Sequence, residues 1–165
     1  MSDQQGTTYS AFIQRQMVDE RSRRTSLDER GWRLQQSCVL TLGLISTAIG
    51  LLAGPGALAR GWALVILGLS AGTLVAAYVC GLQAAGLRWY VVADSDTMNK
   101  MLTQQWGDTE VDSRNIVAGL DLQLATSLRE GNKAKAEWIT WGLWFQGAGV
   151  ALGFISVVFV ASTAL

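Results

Sequence analysis

Histidine is absent from the 165-residue chain, which removes imidazole bases, Ser-His-Asp triads and His-bearing metal sites together. Two cysteines remain, Cys38 and Cys80. Two thiols make no metal site, and both fall toward the ends of apolar runs that face a reducing compartment, where a disulfide does not persist. Proline occurs once, at Pro55. No stretch reads as a strand, so no glycine-rich phosphate loop can follow one. Asp, Glu, Lys and Arg make up 16% of the residues, with a net charge of zero, against about 25% charged in an average soluble domain. These absences argue against an enzyme, and they imply no cofactor, no metal and no nucleic-acid partner.

The charges are sorted rather than merely few. None lies from Leu34 to Ala59, from Gly61 to Leu87, or from Trp138 to Leu165, giving uncharged runs of 26, 27 and 28 residues. At about 1.5 Å of rise per residue each run reaches roughly 39 to 42 Å, more than the roughly 30 Å hydrocarbon layer. The expectation is an all-α integral membrane protein. Residues 1–33 form a cytoplasmic N-terminal helical segment and 34–87 a hairpin of two spans with its turn at 54–60. Residues 88–137 form a cytoplasmic helical connector and 138–165 the third transmembrane helix.

Topology follows from the same sorting. Arg15, Arg21, Arg23, Arg24, Arg30 and Arg33 precede the first run, while Arg88, Lys100, Arg114, Arg129, Lys133 and Lys135 lie in the connector. The first hairpin carries Arg60 alone. The positive-inside rule then places the N-terminus in the cytoplasm and the C-terminus outside a multi-pass protein of the plasma membrane. Trp32, Trp62, Trp89, Tyr90, Trp138, Trp141 and Trp144 stand at run borders, as an interfacial aromatic belt requires; Trp106 does not. A competing reading takes Ser22-Arg23-Arg24-Thr25-Ser26-Leu27 as a twin-arginine export motif with cleavage after Ala57-Leu58-Ala59. Asp28, Glu29 and the length of the run weigh against it.

The polar segments read as helical. Ser26 and Glu29 have capping-box spacing, so a helix is expected to start there and enter the membrane. Upstream, Tyr9, Phe12, Ile13 and Met17 share one helical face, expected to pack on the connector. Asp94 to Trp106 reads as a short helix ending at Gly107-Asp108. Thr109 and Asp112 repeat the capping spacing, and Val117, Leu120, Leu124 and Leu128 make a second stripe. Gly131-Asn132 weakens that helix, so the chain bends there or continues into the third span.

Within the runs, small residues recur every fourth position: Ser46, Gly50 and Gly54; Gly68, Gly72, Ala76, Cys80 and Ala84; Gly149 and Gly153. Small faces let helix backbones approach closely in lipid, within one chain or between chains. Gly54-Pro55-Gly56 suits a tight turn. No run holds an ionisable residue, which argues against a proton relay or an ion-coupled carrier. Gln83 and Gln146 either face wet headgroups, bond across helices or line an oligomeric pore.

This layout, with Arg24-Thr25-Ser26-Leu27-Asp28-Glu29-Arg30-Gly31 leading into the first run and Asn132-Lys133-Ala134-Lys135-Ala136 into the last, resembles small three-span bacterial membrane effectors of cyclic-nucleotide antiphage defence. It also resembles uncharacterised actinobacterial integral membrane proteins. The resemblance covers the architecture and few specific residues. It implies a homo-oligomer in the lipid bilayer that damages or depolarises the membrane when triggered, and it transfers no binding residue. The same features suit a scaffold subunit of a larger membrane complex, or a holin-like small channel.

Overall fold

The computed structural model describes residues 3–52, 61–86, 94–104 and 109–164. Among them all regular structure is helical: α1 (Asp3–Leu52), α2 (Gly61–Ala85), α3 (Ser95–Thr103) and α4 (Glu110–Ala164). The Gly54-Pro55-Gly56 turn, Arg60, the Ala57-Leu58-Ala59 sequence, Trp89, Tyr90, Trp106 and the Gly107-Asp108 break lie outside the described residues.

Helix starts follow local chemistry in the polar segments. Asp94 caps α3, its carboxylate accepting from the Ser95 amide at 2.7 Å. Thr109 caps α4: its hydroxyl accepts from the Asp112 amide at 3.3 Å and donates to the Asp112 carboxylate at 2.7 Å. The start expected at Ser26 does not occur. Ser26 is an exposed residue in the middle of α1, and Glu29 accepts from Arg33 at 2.6 Å instead of reaching back. No proline interrupts residues 3–52, so a capping pattern there competes with an unbroken run of backbone hydrogen bonds and loses. α4 likewise runs unbroken through Gly131 and Asn132.

The chain divides into two compact units, to both of which α1 and α4 contribute. The first comprises residues 1–26 and 87–134. Here α1 and α4 run parallel, since Gly6 lies by Arg114 and Glu20 by Arg129 and Asn132. The seam on α4 follows Arg114, Ala118, Asp121, Ala125, Leu128 and Asn132, which alternate steps of four and three and are all buried or half-buried. That alternation is the spacing of left-handed helix packing.

The second unit comprises residues 27–86 and 135–165 and is a three-helix bundle. Its core is layered: Leu27, Ala84 and Ile139; then Leu34, Cys38 and Ala77; then Ile45, Ile49 and Leu74. Numbers rise together on α1 and α4 and fall on α2. α1 and α4 are therefore parallel and α2 is antiparallel to both. Each of these helices contains a segment long and apolar enough to cross a membrane.

Candidate functional site: helix-packing faces and buried polar links

In the first unit the polar seam centres on Glu20, which is buried. The Asn132 amide donates to the Glu20 backbone carbonyl at 2.9 Å and to Oε2 at 3.0 Å, and Arg129 Nε donates to Oε1 at 3.0 Å. Arg129 also reaches the Gln16 amide oxygen at 3.4 Å. Burial alone would raise the Glu20 pKa. The hydrogen bonds from Asn132 and Arg129, with the charges of Arg129 and Arg23, outweigh it and hold the carboxyl below its ordinary value.

The apolar stripes expected to meet there are unevenly buried. Of the two stripes Leu128 is buried; Ile13, Met17, Leu120 and Leu124 are half-buried; Tyr9, Phe12 and Val117 are exposed. A stripe spaced 3-4-4 winds around the helix, so its members do not all turn to one neighbour. Asn132, read from sequence as a point of weakness, is 1% exposed and makes two hydrogen bonds.

In the second unit close approach depends on glycine, and in the described residues no glycine has a positive φ. A Cβ on Gly81 would lie 2.9 Å from both the Gly31 carbonyl and Gln35 Cγ, and one on Gly31 would lie 3.1 Å from the Gly81 carbonyl. On α4, Gly142 faces Leu34 and Cys80, Gly149 faces Leu74 and Thr73, and Gly153 faces Ile45 and Ser70. Gly149 and Gly153 therefore pack inside the chain. A Cβ on Gly50, Gly68 or Gly72 would meet nothing within 4 Å among the described residues, Ser46 is exposed, and Ala76 is half-buried. Gly54 lies outside the described residues. Gly31, Gly81 and Gly142 are packing residues that the four-residue spacing does not reveal.

Polar side chains link the bundle. Ser70 Oγ donates to the Gly149 carbonyl at 2.7 Å, and Gln146 Nε2 donates to Ser37 Oγ at 2.7 Å; Gln83 is exposed. Lys135 is buried and pairs with the half-exposed Asp28. The Ser156 hydroxyl is buried with no partner in the described residues. Cys38 and Cys80 are both buried and free. No group of three His, Cys, Asp or Glu residues suited to a metal occurs among the described residues.

The outside of this unit is unlike that of a soluble bundle. Leu40, Leu44, Leu51, Trp62, Leu69, Trp144 and Phe154 are each more than half exposed, while Ser70, Gln35, Lys135 and Ser156 lie inside. Trp32, Trp138 and Trp141 are also exposed. Comparison with known protein families, with curated proteins and with solved structures finds no match to the chain.

Proposed function

We propose that the protein is a non-enzymatic integral membrane protein of three spans that assembles in the plasma membrane and depolarises it when triggered. One observation carries the membrane part: the bundle turns large apolar side chains outward on α1, α2 and α4 and keeps small and polar ones within. In water such a surface would associate indiscriminately, whereas lipid solvates it. The open faces at Gly68 and Gly72 support assembly, because a Cβ at either position would meet none of the described residues within 4 Å, which leaves room for a second helix against α2. Triggering in antiphage defence rests on the resemblance in layout.

A second reading, a scaffold subunit of a membrane complex, is favoured by the Glu20 links. A buried carboxylate held by Asn132 and Arg129 makes a firm α1–α4 pairing rather than an easily switched one. Inducible expression with a membrane-potential dye, with and without phage or a cyclic nucleotide, separates the two. Depolarisation by wild type, lost in Gly72→Leu while the protein stays in the membrane fraction, supports the effector. Absence of depolarisation under every condition refutes it and leaves the scaffold.

A further inference from the structure

Where α4 passes from its charged to its uncharged part, the second unit holds a cleft of about 380 Å³. It is lined by Glu137, Trp138, Trp141 and Phe145 of α4 and by the buried Cys80 of α2. The four α4 residues fall within about two helical turns, so rings and carboxylate share one side of the helix. The Trp141 and Phe145 rings lie 6.4 Å apart between centroids, tilted by 32°. Aromatic faces carry partial negative charge and attract a desolvated cation within about 6 Å.

Glu137 adds a full negative charge to that field. Among the described residues it forms no ion pair and no hydrogen bond, although Lys133 stands one turn away. The other carboxylates of this unit behave differently: Asp28 pairs with Lys135 and Glu29 with Arg33. No cationic side chain lines the cleft, so an anion finds no partner there. A purely apolar guest would leave the carboxylate uncompensated. The complementary ligand carries a positive charge beside carbon-rich surface, as an organic ammonium does.

We propose that this cleft binds the ammonium headgroup of a zwitterionic membrane lipid. Glu137 and the indole faces of Trp138 and Trp141 hold the cation, and Phe145 lies beside the lipid's backbone. The place favours a lipid over a soluble cation. Trp138 opens the uncharged run of α4, and the exposed Trp144 and Phe154 continue beyond it as surface for acyl chains. The proposal rests on α2 and α4 crossing the bilayer, and the test keeps the two apart.

The full chain is reconstituted in nanodiscs of equal phosphatidylethanolamine and phosphatidylglycerol, and the lipid retained through mild delipidation is identified by native mass spectrometry. Wild type retains the ethanolamine lipid with roughly tenfold preference; Glu137→Gln brings the ratio near parity, and Trp141→Leu lowers it about threefold. Lys133→Gln leaves it unchanged. Equal retention by wild type, or a preference unaltered in both Glu137→Gln and Trp141→Leu, overturns the proposal. Saturable binding of tetramethylammonium in phosphatidylglycerol-only discs, without lipid preference in mixed discs, also overturns it in favour of a soluble cation. Carbonate extraction reports separately: wild type released from membranes overturns the spanning assignment itself.

Discussion

Replacing Asn132 by Leu tests whether Glu20 is held by its neighbours. The substitution roughly conserves volume and removes two hydrogen bonds, one to the carboxylate at 3.0 Å and one to the backbone carbonyl at 2.9 Å. A hydrogen bond to a charged group contributes about 1.5–3 kcal/mol and a neutral one about 1 kcal/mol. The losses do not sum fully, because Glu20 keeps Arg129 and the carbonyl keeps its helical partner. A net cost of about 2–3 kcal/mol raises the opening equilibrium roughly 30- to 150-fold. Hydrogen exchange of the wild-type and variant chains in micelles, followed by mass spectrometry over residues 16–24 and 125–133, reads that factor directly. Glu20→Leu combined with Asn132→Leu recovers most of the protection, since the buried charge leaves together with its donor. The reasoning is refuted if the single variant exchanges like wild type, or if the double variant loses more than the two singles combined.

Acid should loosen the same contact. The Glu20 pKa is lowered in the fold, so its contribution is complete above the ordinary value of 4.5 and is lost as pH falls through the folded value; the protection of residues 16–24 in wild type, taken relative to the intrinsic exchange rate at each pH, should fall below about pH 4.5, and Glu20→Gln should flatten that response. Gly81→Ala places a methyl 2.9 Å from the Gly31 carbonyl and is expected to cost about 1–3 kcal/mol in thermal unfolding. Gly68→Ala meets nothing within 4 Å among the described residues and should leave the transition within about 0.5 kcal/mol of wild type. For topology, a cysteine at Gly56 should label from outside the cell and one at Asp108 only after permeabilisation; external labelling of both refutes three crossings.

The three span-capable helices were legible because they depend on composition: a run without charges reads as such whatever packs against it. The cap at Thr109 was legible because it is local. Which faces pack was not. Residues four apart drift about 40° per step around an α-helix, so the Gly68-Gly72-Ala76-Cys80-Ala84 stripe turns from exposed, through half-buried, to buried. The signal that does follow the interior has a period of seven, which drifts by only about 20°. Ala63, Ser70, Ala77 and Ala84 on α2 keep it, as do Gly142, Gly149 and Ser156 on α4, and all seven are buried. The polar seam around Glu20 was hidden for another reason. Exposure of Tyr9 and Phe12 with burial of Glu20 reverses the usual hydrophobic order, and a pair 112 residues apart in sequence leaves no local trace.

The pairing of Lys135 with Asp28 sets a register as well as making a contact. Lys135 is 1% exposed, and its partner lies 107 residues earlier, so the two ends of the bundle meet at one place along each helix. Away from that place the buried ammonium would have no counter-charge. A slip of one residue along α1 would carry the carboxylate about 100° away around the helix. The pair thus works as a detent, fixing the register at which α4 docks on α1.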